Sequence, residues 1–212
     1  MKAKTSQALY AYWNEVRQGR LAPRRFDIEP SRITTVLSET FILERLDAET
    51  YRYRLAGTRV CELLGTELRG SNFLEGWHSE DALSLARLMQ TAAQQGGVVL
   101  LTFETFAFGR PAAVFECVLL PLLHTREKVE RFLGGLTAVT IADPAPEERT
   151  TSRRLGHAEI IWPDGKPHAV VASLSRQTPF LPHIRNARVV RSERRQFRVY
   201  EGGLGKSDCK EI

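Results

Sequence analysis

The chain has 212 residues, 42% of them hydrophobic, which is enough apolar material for one domain with a real core and argues against a disordered or fibrous protein. Its net charge of +5 is unevenly spread. Residues 1–148 hold 17 Lys and Arg against 19 Asp and Glu, whereas residues 149–212 hold 13 against 6. The basic character therefore belongs to the C-terminal part.

The three cysteines, Cys61, Cys117 and Cys209, show no paired spacing, and two of them lie in apolar runs. This pattern favours buried thiols in a reducing compartment over a disulfide or zinc framework. The N-terminus lacks a cleavable leader pattern, and no run approaches the ~20 apolar residues that a bilayer crossing needs. We therefore predict a cytoplasmic protein without a metal site or a membrane segment.

An amphipathic helix is predicted near the N-terminus, from Ser6 to Arg17. Ser6 is a suitable N-cap, and Gly19 is placed to end the helix. Four residues recur at helical spacing and form one apolar, aromatic face: Leu9, Tyr12, Trp13 and Val16. We expect this face to cover a sheet of the same chain or of a partner, and to form the interface of a homodimer.

A β-hairpin is predicted next, because two short apolar runs, Phe41–Leu46 and Tyr51–Leu55, flank the polar residues 47–50. A short helix should then begin at Thr58 and end before Gly65. This segment does not resemble a dinucleotide loop, since it lacks the further glycines that let a backbone approach a pyrophosphate.

A longer helix is predicted from an N-cap at Ser79 to the pair Gly96-Gly97. Its apolar face consists of Leu83, Leu85, Ala86, Leu88 and Met89. Three β-rich segments follow: Val98–Phe108, Val114–Leu123 and Phe132–Ile141. These strands are apolar on both sides, so the central helices should cover one face of the sheet and the N-terminal helix the other. Residues 142–154 have the composition of a linker, and a second hairpin is considered around Pro163-Asp164-Gly165.

This order of elements is that of a PAS domain. The expected fold class is α+β, a five-stranded antiparallel sheet with helices on one face, an N-terminal amphipathic helix and a basic C-terminal extension. Residues 26–141 resemble a bacterial, alphaproteobacterial-type family of small single-PAS proteins through IEPSRITTVLSETFILERL, YRYRLAGTRVCELLGTELRG, NFLEGW and RFLGGLTAV. The expected regions are a helix and linker over 1–25, a PAS domain over 26–142 and the extension over 143–212.

The resemblance implies a non-catalytic sensory or regulatory module that acts through a homodimer and protein partners. It also implies a cavity between the sheet and the short helices, suited to an unidentified small molecule. The residues that would line this cavity are Cys61, Leu64, Phe73, Trp77, Met89, Phe103, Cys117, Leu119 and Leu136. The same residue types also build an ordinary filled core, and both alternatives stay open.

No cofactor and no catalytic group are predicted. The five histidines are scattered, without a metalloprotease pair or a nucleophile elbow. His78 is the nearest candidate for a haem ligand, but a histidine in the cap region of a helix is more simply solvated. Related light-sensing domains use a cysteine in an Asn-Cys-Arg context for flavin chemistry, and Cys61 lies in RVCELLG instead.

An arginine-rich segment near the C-terminus suggests an alternative function. Its candidate phosphate-binding residues are Arg185, Arg188, Arg191, Arg194, Arg195 and Arg198. They could hold nucleic acid through backbone charge. They could also hold a cyclic dinucleotide, because RRQFR resembles the Arg-xxx-Arg start of PilZ-type receptors, although only 14 residues follow where those receptors need a barrel. A solvated basic tail is the third alternative.

Overall fold

The computed structural model describes residues 1–107, 109–124, 128–142 and 152–169. The α-helices are α1 (Lys4–Arg17), α2 (Thr58–Leu64) and α3 (Ser79–Gln95), and 3-10 helices span Arg25–Asp27 and Pro30–Glu39. The strands are β1 (Thr40–Arg45), β2 (Tyr51–Ala56), β3 (Val98–Ala107), β4 (Arg110–Leu123), β5 (Val129–Ile141) and β6 (Ser152–Ile161).

The six strands form one antiparallel sheet in the order β2-β1-β5-β4-β3-β6. The predicted α+β class, the hairpin of β1 and β2 and the three later strands are confirmed. The count of five strands is wrong, because β6 lies in the segment predicted as linker and extension. Arginines and Gly156 interrupt the apolar alternation of β6, and its register against β3 shifts between Thr102 and Phe103, so the usual period of a strand is lost.

Helix α1 covers one face of the sheet, over β4 and β5 of its own chain. Leu9 and Trp13 are fully buried there, and the Trp13 indole Nε1 donates a 2.8 Å hydrogen bond to the carbonyl of Pro121. Tyr12 is buried as well, and Val16 packs against the same core. The expectation that this face covers a sheet of the same chain is met, and a dimer interface through Leu9, Tyr12, Trp13 and Val16 stays a prediction.

Two adjacent glycines on β5 let side chains approach the sheet closely from both faces. A Cβ on Gly135 would lie 2.5 Å from Cδ1 of Leu9 in α1. A Cβ on Gly134 would overlap the ring of Phe41 on the other face. Successive residues of a strand point to opposite faces, so the GG of the RFLGGLTAV motif makes room on each.

The N-terminus of α1 is held by carboxylates from other elements. The helix begins at Lys4, with Ala3 as its N-cap, so the predicted cap Ser6 is wrong and lies buried in the first turn. The buried Glu116 of β4 accepts the backbone N–H groups of Lys2 at 2.8 Å and Ala3 at 3.0 Å. A negative charge at this position compensates the positive end of the helix dipole.

Helices α2 and α3 pack on the opposite face of the sheet. Helix α3 buries Leu85, Ala86, Met89, Ala92 and Ala93. Leu83 is 50% exposed, which corrects its place in the predicted apolar face. The N-cap is also one residue earlier than predicted, at His78 instead of Ser79.

Replacing Trp13 with Ala should lower the free energy of unfolding by about 3 to 5 kcal/mol, because a large, fully buried side chain leaves a cavity. Chemical denaturation of the full chain measures this. The control Ala11→Gln changes the exposed face of the same helix and should shift the free energy by less than about 0.5 kcal/mol. Equal, small effects of both variants would contradict the packing of α1 on its own sheet.

Glu116→Gln should destabilise the chain at pH 7 by about 1 to 2 kcal/mol, the cost of a lost helix cap. Burial raises the pKa of Glu116, but the N–H group of Lys2, the Ser6 side chain, the N–H group of Ala3 and the charged N-terminus together outweigh it and hold the pKa below its usual 4.5. The charged form thus stabilises the fold fully above pH 4.5, and this contribution is lost as the pH falls through the lowered pKa. Chemical denaturation at pH values from 7 down to below 4.5 should show the free energies of unfolding of the unaltered chain and of Glu116→Gln converging. A difference between them that does not change with pH would contradict this account.

Candidate functional site

The residues predicted to line a PAS cavity lie between the sheet and the helices of the second face. Eight of the nine are buried: Leu64, Phe73, Trp77, Met89, Phe103, Cys117, Leu119 and Leu136. Cys61 is half-buried on α2, and its Sγ lies 4.0 Å from Oε1 of Glu67. The structure therefore brings the predicted set into one region.

A chain of six aromatic rings fills much of this region, and we call it the aromatic cluster. Its members are Phe41, Tyr53, Phe73, Trp77, Phe103 and Phe115, with neighbouring ring centroids 4.9 to 6.2 Å apart. These distances are typical of favourable ring contacts. The cluster runs from β1 and β2, through residues 73–77, to the centre of the sheet.

Sequence reasoning missed Phe41, Tyr53 and Phe115 as members of this cluster. A signal for Phe115 was present, because Phe103 and Phe115 are equally distant from Gly109, which lies between the two predicted strands, and they do pair across β3 and β4. Phe41 and Tyr53 could not be placed in the same way. A register shift between Ile42 and Leu43 alters the pairing of the hairpin.

Two buried side chains in this region carry a polar group, Tyr53 within the aromatic cluster and Cys117 of β4. Burial raises the pKa of the Tyr53 hydroxyl and of the Cys117 thiol well above their usual values. Both groups are therefore neutral at physiological pH. Cys117 consequently lacks the thiolate character that a nucleophilic cysteine needs.

Arg153 of β6 reaches this region from the edge of the sheet. Its Nη1 lies 3.5 Å from the carbonyl of Phe73, and its charge partly offsets the pKa rise of Tyr53 and Cys117. Within the described ranges no carboxylate forms an ion pair with Arg153. Sequence reasoning missed this residue because it fell in the predicted linker.

The backbone of Arg153 joins β6 to the loop before α3. Its N–H donates to the carbonyl of Gly76 at 2.8 Å, and its carbonyl accepts the N–H of His78 at 3.1 Å. At its other end, β6 leads into a turn where the Asp164 carboxylate receives hydrogen bonds from Nη1 of Arg17 at 3.1 Å and Nη2 at 2.5 Å. Strand β6 is thus tied both to the aromatic side and to α1.

An open groove of about 630 Å³ lies outside Trp77, between the start of α3 and β6. Its lining residues are Gly76, Trp77, His78, Ser79, Phe106, Gly109, Ser152, Arg153 and Arg154. Trp77 is only 8% exposed, and its Nε1 donates to the carbonyl of Phe73 at 2.8 Å. The groove therefore meets the aromatic cluster through this side chain.

His78, the haem candidate, is an exposed N-cap on the surface and does not enter the aromatic cluster. The part of the chain that the structure describes contains no group of three His, Cys, Asp or Glu able to hold a metal ion. Among the same residues, no helix is long and apolar enough to cross a membrane. The arginine candidates Arg185, Arg188, Arg191, Arg194, Arg195 and Arg198, and also Cys209, lie outside the described residues.

Comparison with solved structures finds weak similarities to a LOV protein and to PAS domains. The LOV protein of Rhodobacter sphaeroides has 12% identity, with 53% of this chain and 69% of that chain covered and a TM-score of 0.39. The PAS domain of an HTR-like protein from Haloarcula marismortui has 20% identity, coverages of 51% and 90% and a TM-score of 0.34. The PAS domain of BvgS from Bordetella pertussis has 17% identity, coverages of 54% and 87% and a TM-score of 0.35.

The comparison with protein families is decisive for the assignment. No curated protein sequence matches the chain. The family model described as PAS domain matches residues 1–137, which is more than half of the chain and includes α1 as well as the strands β1 to β4 and most of β5. This chain therefore belongs to the PAS domain family.

Proposed function

We propose that this chain is a non-catalytic PAS sensory or regulatory module whose output passes from the aromatic cluster through β6 to the C-terminal segment. The observation that carries the proposal is the position of Arg153. Its side chain reaches the carbonyl of Phe73 while its backbone holds the loop at Gly76 and His78. A change in the packing of the aromatic cluster would therefore act directly on the strand that leads into the basic segment.

Strand β6 is much less buried than β4, and this difference supports the proposed role. Every residue of β6 is exposed or half-buried, whereas β4 is almost continuously buried from Phe115 to Leu123. Elements with few buried apolar contacts open at a lower free energy than the core. Strand β6 is thus the part of the sheet that a modest change in binding energy could release.

A small molecule in the groove beside Trp77 is the input that we favour. Its volume of about 630 Å³ lies within the range of ~300–1,000 Å³ typical of ligand sites. The rings of Trp77 and Phe106 suit an apolar ligand, and Arg153 and Arg154 suit one with a hydrogen-bond acceptor. Such a ligand would signal only if it bound one state of β6 better than the other.

Protein partners, a homodimer and a cytoplasmic location stay predictions. In this conformation a second copy cannot use the buried face of α1, since Leu9 and Trp13 are fully covered by the chain itself. Partner recognition would instead use surfaces that β6 and the C-terminal segment present. The output would be association, with the state of β6 deciding which surface is available.

Arg153→Ala should raise the amide hydrogen exchange rates of residues 152–161 and 76–78 by about tenfold, because the hydrogen bond from the charged guanidinium to the carbonyl of Phe73 is lost. Hydrogen–deuterium exchange of the full chain measures this by segment. The matched control is Arg154→Ala, which removes the exposed neighbour and should leave these rates nearly unchanged. Equal protection in all three proteins would contradict the coupling of β6 to the aromatic cluster.

The alternative function is binding of nucleic acid or a cyclic dinucleotide by the basic segment. It is favoured by one observation, the 13 Lys and Arg against 6 Asp and Glu over residues 149–212. Phosphate groups are the natural counterpart of such a charge.

If nucleic acid is the partner, the full chain should bind single-stranded RNA or DNA with an affinity that falls steeply as salt rises. Fluorescence anisotropy at several salt concentrations measures this. Arg194→Gln with Arg198→Gln should weaken binding and flatten the salt slope, while Arg87→Gln with Arg110→Gln, a pair with the same charge change, should not. Absent or salt-insensitive binding by the unaltered chain would exclude this function.

A further inference from the structure

A row of charged side chains crosses three strands near the edge of the sheet. Glu44 of β1 stands in register with Arg52 of β2 on one side and with Arg131 of β5 on the other. Its Oε2 lies 2.8 Å from Nη2 of Arg52 and 3.7 Å from Nε of Arg54, and its Oε1 lies 3.4 Å from Nη2 of Arg131. One carboxylate thus faces three guanidinium groups.

The positive charge in this row is not balanced. Hydrogen bonding to Arg52 lowers the pKa of Glu44 against the effect of burial, so Glu44 carries its single negative charge at neutral pH. Among residues that the structure describes, no second carboxylate lies within ion-pair distance of these arginines. The Nε atoms of Arg52 and Arg131 are also buried without an acceptor. Buried donors almost always have an acceptor, so this row is suited to a further anion.

A small cavity of about 160 Å³ adjoins the row. Its lining residues are Arg52, Tyr53, Arg54, Arg69 and Gly70. Arg69 is the third arginine that lines the cavity, and in the described ranges no carboxylate pairs with its side chain. The nearby Glu67 instead accepts the backbone N–H of Arg69 at 3.2 Å. Three arginines therefore line this space, and no acidic residue is among its lining residues.

The size and chemistry of this cavity indicate one class of ligand. It has the volume of about five waters at ~30 Å³ each, which admits a small oxyanion but not a drug-sized molecule. Guanidinium forks match the oxygens of a phosphate group and stay charged at any cellular pH. We propose that Arg52, Arg54 and Arg69 bind a phosphate group, supplied either as free phosphate or as a small phosphate monoester.

The position of this site links it to the interior of the domain. Tyr53 lies between Arg52 and Arg54 on β2, so its side chain points to the opposite face and into the aromatic cluster. Its carbonyl accepts the N–H of Gly70 at 2.8 Å, and its N–H donates to Ser71 at 3.0 Å. A bound phosphate would therefore tighten β2 against residues 69–71. This inference does not depend on β6 or on the proposed output.

The test is calorimetric titration of the full chain with inorganic phosphate and, separately, with AMP, a monoester of which only the phosphate group would enter the cavity. We expect binding that weakens at least about tenfold when Arg54→Gln and Arg69→Gln are combined, since each removes charged hydrogen bonds. The control pair Arg87→Gln and Arg110→Gln has the same charge change on exposed residues elsewhere and should keep the affinity. Tighter binding of AMP than of phosphate would identify the monoester, and equal or weaker binding would identify the free ion.

Thermal unfolding would show that each variant is folded, which the exposure of Arg54 and Arg69 leads us to expect. If the Gln pair does not fold, Arg54→Lys with Arg69→Lys keeps the charge, removes the planar forks and should still weaken binding. The proposal is overturned if the unaltered chain binds neither probe, or if the control pair Arg87→Gln with Arg110→Gln loses as much affinity as Arg54→Gln with Arg69→Gln. It is also overturned if only a nucleic acid strand, and neither small probe, binds through these arginines.

Discussion

The fold depends on the cover that α1 gives to the sheet. The strands β3 to β5 are apolar on both faces, and a face left in water would expose the side chains that now surround Leu9 and Trp13. The helix is fixed at three levels: apolar burial along its length, the Trp13 hydrogen bond in its middle and the Glu116 carboxylate at its start. The Glu116 contact is strong because its buried charge accepts hydrogen bonds from backbone N–H groups at the helix start, which have no acceptor within the helix.

This arrangement separates the molecule into two chemically different sides. The α1 side is aliphatic and contains the charged row around Glu44 farther along the same sheet surface. The other side contains the aromatic cluster, with Tyr53 and Cys117 held neutral by burial. Strand β2 contributes to both, because alternate residues of one strand face opposite ways. In the function that we propose, such a domain can be influenced at one face and respond at the other.

Much of the fold could be predicted from the sequence, since the periods of α1, α3 and the central strands are carried by apolar residues. The hairpin and the helix at Thr58 were predictable for the same reason, with glycine and polar residues between the runs. The N-cap of α1 was not predictable, because the start of this helix is held by Glu116, a residue more than 110 positions away in the chain. Strand β6 was missed because arginines and a bulge at Gly156 disrupt its alternation.

The candidate site was predictable only in part, for a similar reason. Phe73, Trp77 and Phe103 were expected in the interior from the resemblance to PAS domains. The roles of Arg153 and of the row around Glu44 depend on register, which one sequence does not specify when strands far apart in the chain become neighbours. Arginines are ordinarily interpreted as surface residues, and only the pairing of β1 with β2 and β5 brings three of them to one carboxylate.

Both edge strands of the sheet are partly covered by other residues of the chain, and this limits how copies of the chain can associate. The outer edge of β2 is occupied by residues 70–73, through the bonds of Tyr51 and Tyr53. The first half of β6 is occupied by residues 76–78, and the N–H of Leu155 donates to the Asp81 side chain. The pairing of an added strand, by which sheets polymerise, is therefore blocked along β2. On β6 it is confined to a short stretch that bears His157 and Glu159. Polar residues of this kind discourage pairing with a further strand.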